Sequence, residues 1–121
     1  MIHHEEKEFY CPCGCGLGFR DMDEDFVNMI DRARGHAGVP FRHNSTIRCM
    51  KHNLSKEVGG SKTSSHPKGL ADDIEVRNSY ERFRILHGLK KVGFTRFGIY
   101  ENFIHVDGDP DKPKELIWWG K

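Results

Sequence analysis

The chain lacks any apolar run approaching the ~20 residues that a membrane-spanning helix needs, so no membrane insertion is expected. It lacks a charge bias: 19 Lys and Arg against 18 Asp and Glu leave a formal net charge of +1. The basic residues are scattered rather than striped, which argues against nucleic acid as a partner. It also lacks an internal repeat, a low-complexity tract and a linker. The first eight residues, polar and acidic, contain no apolar signal core, which predicts synthesis in the cytoplasm. With 121 residues the chain has material for one modest core and not two. With no heptad and no large apolar face, a monomer is expected. Residues 1–8 are expected to be loosely ordered, His3 and His4 included.

Periodicity outlines the elements. Asp23 reads as the N-cap of a helix carrying Phe26, Met29, Ile30 and Ala33, stopped by Gly35 or Gly38. Ser45 to Cys49 is β-branched enough for a short strand, with a helical turn over 50–57 closed by Gly59-Gly60. Residues 61–69 form a loop, and Ala71 to Val76 alternates as a strand. Ser79 caps a second helix with a buried stripe of Phe83, Leu86, Leu89 and Val92, ended by Gly93. Strands follow at 97–100 and 103–107, and Leu116 to Trp119 is a last apolar segment. Helices and short strands mix without a βαβ rhythm. The expected class is therefore α+β, a single small domain with a short antiparallel sheet flanked by helices.

The most informative stretch is Ser64-Ser65-His66-Pro67-Lys68-Gly69-Leu70-Ala71-Asp72-Asp73, with a later Phe103-Ile104-His105-Val106-Asp107. Two imidazoles and a carboxylate are ligand types that zinc prefers, and three protein ligands leave a fourth position for water, as in a catalytic site. His66 lies on a loop and Asp73 on the following strand. Gly69 serves as a hinge because a positive φ costs it little. His105 completes the set only if the 71–76 and 103–107 strands are neighbours. The remaining histidines, His36, His43, His52 and His87, are not spaced with any other ligand and are expected at the surface or behind the site.

These motifs resemble the M15 peptidases, the zinc D-alanyl-D-alanine carboxypeptidase and endopeptidase group that shares its fold with the hedgehog signalling domain. Ser45 to Cys49, Lys51-His52-Asn53, Val58-Gly59-Gly60, Gly98-Ile99-Tyr100 and Trp118 extend the likeness over most of the chain, and the Cys13-Gly14-Cys15-Gly16 opening is similar to that of phage-type members. The resemblance implies one catalytic Zn2+ on His66, Asp73 and His105, with Arg48 and Ser64 meeting substrate. It implies a substrate in bacterial peptidoglycan stem peptides, and a lysis or particle-associated protein acting on the cell wall. Many members carry the catalytic acid three residues before the second histidine. Asn102 stands there, and it is no base. Asp107 is favoured for that role and Glu101 is the alternative. The competing reading of Asp107 is a carboxylate that orients the ligating histidine. If the base is lost, the chain becomes a zinc-containing module that binds cell-wall peptide without cutting it.

Cys11, Cys13, Cys15 and Cys49 leave three readings open: a second, structural zinc, a disulfide from Cys49 to the 11–15 loop, or free thiols packing that loop. All three place the loop beside Cys49.

Overall fold

The computed structural model describes residues 1–55, 60 and 63–120. Helix α1 spans Glu24–Ala37, and the Asp23 carboxylate accepts the Phe26 N–H at 2.8 Å, the expected N-cap. Gly38, at φ 70°, turns the chain left-handed and ends it. Phe26, Val27, Ile30, Ala33 and Ala37 form its buried face.

Helix α3 spans Ser79–Lys91, and its cap is Asn78 rather than Ser79: the Asn78 side chain accepts the Glu81 N–H at 2.9 Å. Its buried face also differs from the expected stripe. Ile85, Gly88 and Leu89 are buried, whereas Phe83 is 66% exposed. Positions three apart fall about 60° short of a full turn at each step, so the 83–86–89–92 series winds off the face that 85, 88 and 89 hold. Gly88 is a contact requirement, because a Cβ there would sit 2.3 Å from the Ala33 carbonyl oxygen and 2.9 Å from the Ala37 Cβ. Arg84 crosses from α3 to donate to the Ala37 and His36 carbonyls, closing the C-terminus of α1.

The strands are β1 (His43–Ser45), β2 (Ala71–Glu75), β3 (Arg96–Ile99), β4 (Phe103–Asp107) and β5 (Leu116–Trp119), with a one-turn helix α2 over Met50–Asn53. The first strand is shorter and earlier than expected. The turn expected over 50–57 is seen as α2, and its part beyond Ser55, apart from Gly60, lies outside the described residues. Sheet order is β1-β2-β4-β3-β5. Pairing is antiparallel except at β3–β5, which is parallel. The sheet is therefore mixed rather than wholly antiparallel. The connection from β4 crosses β3 and returns along its free edge, so the strand it lays down runs the same way as β3.

Register sorts the two faces. Ile74 pairs with Ile104, and Phe97 with Val106. These side chains share a face with Ile99 and join Phe26, Ile30, Ile85 and Leu89 in one core. Each fully buried Ile or Leu contributes ~1.5–3 kcal/mol. Asp73 pairs with His105, and His105 with Gly98. Alternation turns that row to the opposite face.

The N-terminus is held, contrary to expectation. Asp31 of α1, itself buried, accepts the Ile2 and His3 N–H groups at 2.9 Å each and meets His4 Nδ1 at 2.9 Å. The His4 ring packs 4.8 Å from that of His43. His43, also expected near the surface or behind the site, has a buried side chain bound at 2.6 Å to Asp72, on the helix-facing side of the sheet. Burial disfavours charge on both rings. It lowers the pKa of His4, whereas Asp72 outweighs it at His43 and raises that pKa.

Candidate metal centre

His66 opens a 3-10 turn, His66–Lys68, ended by Gly69 at φ 70°. Gly69 is doubly required. Its φ is left-handed, and a Cβ would lie 2.4 Å from the Asp21 carbonyl oxygen and 2.8 Å from the Met22 Cα. The Gly69 carbonyl accepts the Asp23 N–H at 3.0 Å, which pins the turn beneath the start of α1. Ser65 and Lys68 both bind Asp109, at 2.8 and 2.9 Å, tying the turn to the chain after β4. Ser64, expected to meet substrate, accepts the His66 N–H at 3.2 Å and so supports the turn.

His66 is 1% exposed. Its Nδ1 lies 2.6 Å from the Thr46 carbonyl. A carbonyl only accepts, so Nδ1 carries the proton and Nε2 keeps its lone pair. That Nε2 is buried without a hydrogen-bond partner, 3.3 Å from Asp73 Oδ2. His105 turns Nδ1 toward the same carboxylate, 2.9 Å from Asp73 Oδ1. The three donors lie within 4.8 Å of one another. A tetrahedral ion with ~2.1 Å bonds needs ligand atoms ~3.4 Å apart. The β2–β4 pairing is what brings Asp73 and His105 together, as the sequence reading required. An orphaned buried imidazole nitrogen facing a carboxylate and a second imidazole fits zinc.

Asp107 stands elsewhere than a base would. Its Oδ2 lies 2.9 Å from His105 Nε2, on the far side of the ring from Asp73, and its Oδ1 accepts from Arg96 Nε at 2.7 Å. Both oxygens are engaged and the residue is 2% exposed. The expectation of a general base at Asp107 is corrected on this point: the geometry is that of a carboxylate orienting a ligating histidine. Arg96, which sequence reading missed, also donates to the Pro113 carbonyl and lies 5.1 Å from the centre of the Trp118 ring. Trp118 passes over Gly98, where a Cβ would meet its Nε1 at 2.7 Å. The strand expected from the sequence starts at Phe97, so Arg96 fell one residue outside it. Glu101, the other candidate base, is exposed on the β3–β4 turn.

The electrostatics follow the contacts. Burial opposes ionisation of Asp73, but the His105 and His66 rings, when protonated beside its two oxygens, outweigh it and hold its pKa well below the usual carboxylate range. Burial likewise opposes charge on His105, yet Asp107 and Asp73 flank it and raise its pKa to about 9. Arg48 is buried just before Cys49. Desolvation lowers its pKa against the attraction of Asp73, and its Nε has no hydrogen-bond partner among the described residues. It is a cation beside the metal ligands with a donor to spare.

The four cysteines gather as expected. Sγ–Sγ separations are 3.4 Å for Cys11–Cys13, 3.5 Å for Cys13–Cys49 and 4.0 Å for Cys11–Cys49, and all four thiols are free.

An α+β domain that brings two imidazoles and an ionised aspartate to one point of its open sheet face has the ligand set of a zinc site. The chain belongs to the peptidase M15 family, whose model matches residues 3–107, a span that includes His66, Asp73, His105 and the four cysteines. That makes it a zinc peptidase by family. No curated protein matches it.

Proposed function

We propose that the protein hydrolyses peptide bonds in the stem peptides or cross-links of bacterial peptidoglycan, acting on the cell wall as a monomer, after release from a cell or within a phage particle. The observation that carries the hydrolytic part is the pair of held histidines: the Thr46 carbonyl takes the Nδ1 proton of His66, Asp107 holds Nε2 of His105, and the other nitrogen of each ring is turned toward Asp73. The peptidoglycan part rests on the resemblance of the 64–73 and 103–107 motifs. A zinc ion held by His66, Asp73 and His105 would supply a Lewis acid able to polarise a scissile carbonyl and lower the pKa of a water toward ~7. Arg48 pairs its free donor face with a carboxylate or carbonyl oxygen of the peptide. Glu101 takes the proton of the attacking water and delivers it to the leaving amine. Trp118, 5.7 Å from the His105 ring, walls the site on the β5 side.

The test is digestion of purified sacculi, with mass spectrometry of the released fragments, with and without chelator. New amino or carboxyl termini in stem peptides, lost on chelation and restored by zinc, are expected. Asn102 and the engaged Asp107 favour one competing reading, a zinc-containing module that binds this peptide without cutting it. Sacculus binding with no fragment released would select that reading.

A further inference from the structure

We propose that Cys11, Cys13, Cys15 and Cys49 form a second metal site, a closed four-thiolate structural zinc centre that fastens the N-terminal loop to the segment positioning His66 and Arg48. The four Sγ atoms lie within 4.8 Å of one another. A zinc ion with ~2.3 Å bonds to sulfur sets tetrahedral ligands ~3.8 Å apart, and the separations of 3.4, 3.5 and 4.0 Å bracket that edge.

The loop is shaped to deliver three thiols from five residues. Gly14 and Gly16 both take a left-handed φ, 82° and 90°, in open space. The Cys11 N–H donates to the Leu17 carbonyl at 2.9 Å, and Tyr10 bridges Gly18, so the loop is closed at its base. This resolves the tightness of the Cys-x-Cys-x-Cys spacing, because Gly14 reverses the chain between Cys13 and Cys15 and Gly16 turns it again just after Cys15. The sulfurs are also held as acceptors. Cys11 Sγ takes the Cys49 N–H at 3.5 Å, and Cys49 Sγ takes the His52 N–H at 3.4 Å as the N-cap of α2. Backbone N–H groups aimed at sulfur favour thiolate over thiol.

The consequence is local to the peptidase site without depending on it. Cys49 directly follows Arg48, and Thr46, whose carbonyl fixes the His66 tautomer, is three residues before it. A metal bridging the loop and Cys49 cross-links this segment to the N-terminal region.

The experiment is metal counting by native mass spectrometry on the full chain purified under reducing conditions, together with cobalt substitution. The unaltered protein is expected to carry two zinc ions. A Cys13→Ser/Cys15→Ser variant, changed at two exposed positions, should carry one, and His66→Ala should also carry one. Sulfur-to-cobalt charge transfer should persist in His66→Ala and vanish in the double serine variant. The thiolate centre is overturned if the double serine variant keeps the full zinc number, if the cobalt protein shows no charge-transfer band, or if peptide mapping of the reduced-purified protein finds Cys49 in a disulfide. Should the double variant not fold, the cobalt spectrum of the unaltered chain decides alone. Loss of peptidase activity with this centre intact would sink the proposed function and leave this inference standing.

Discussion

Asp107→Asn is the sharpest perturbation of the candidate site, because it keeps volume and changes only what the side chain offers. In the native arrangement one carboxylate accepts three times, Oδ1 from Arg96 Nε at 2.7 Å and from the Asp109 N–H at 3.3 Å, and Oδ2 from His105 Nε2 at 2.9 Å. Asparagine has one oxygen and one NH2. If its oxygen stays on Arg96, the NH2 faces His105 Nε2, and that nitrogen must give up its proton to accept. The proton then moves to Nδ1, the nitrogen turned toward Asp73, and the lone pair needed by zinc is gone. If the amide rotates the other way, an NH2 faces a buried guanidinium, at a cost of ~1–3 kcal/mol. Either orientation weakens the site. Loss of such an orienting partner lowers metal affinity about 10–100-fold, or about 1.4–2.7 kcal/mol. The assay is competition for zinc against a chromophoric chelator, followed by turnover at saturating zinc. The expected variant binds zinc weakly and recovers much of its kcat when zinc is raised. Zinc bound with native affinity but no turnover would show that Asp107 is the base after all.

His66→Ala, Asp73→Ala and His105→Ala should each release the peptidase zinc and abolish cleavage, while chelator followed by zinc should switch the native enzyme off and on; activity indifferent to chelation contradicts the site. Glu101→Gln should keep zinc and lower kcat by about 10²–10⁴, and a full rate in that variant removes Glu101 from the mechanism. In the zinc-free protein the His105 pKa of about 9, above its ordinary 6.5, makes zinc displace a proton: apparent affinity should rise about tenfold per pH unit up to about 9 and then level, and a pH-independent affinity below 9 would refute this. The same shift stabilises the zinc-free fold fully below about 6.5 and is lost as pH rises through 9, so its melting temperature should fall across that window. Gly69→Ala meets the Asp21 carbonyl at 2.4 Å and a left-handed φ together, and should cost more than the ~1 kcal/mol of an ordinary glycine substitution, read as a lower denaturation midpoint.

Elements with a clear chemical boundary were legible in the sequence. Asp23 and Gly38 delimit α1 because a side-chain acceptor and a left-handed residue solve the unpaired ends of a helix locally. Strand β4 lies at 103–107, where the sequence placed it. The face of α3 was not legible, since Phe83 and Leu86 are as apolar as Ile85 and Leu89. What selects the face is Gly88 against Ala33 and Ala37, a contact 51 to 55 positions apart in the chain. The parallel seating of β5 was equally hidden, because pairing direction depends on the route of the connection.

The site divides along the same line. His66, Asp73 and His105 could be named because ligand chemistry restricts which residue types can serve, and because the 64–73 and 103–107 motifs resemble those of a known family. The residues that fix them carry no such restriction. Thr46 acts through its carbonyl, which any residue possesses, and Arg96 acts through a carboxylate it shares with a histidine. Asp107 is the instructive case. In sequence a His-x-Asp pair on one strand face presents two groups side by side, and the aspartate looks free to handle water. The fold places Arg96 across from it on β3, and that one antiparallel register converts an accessible carboxylate into a buried acceptor with both oxygens spent. Of the two carboxylates named from the sequence, Glu101 on its exposed turn is then the one left free for that role. The distinction between a group that orients a ligand and one that moves a proton thus lies in what the neighbouring strand brings alongside.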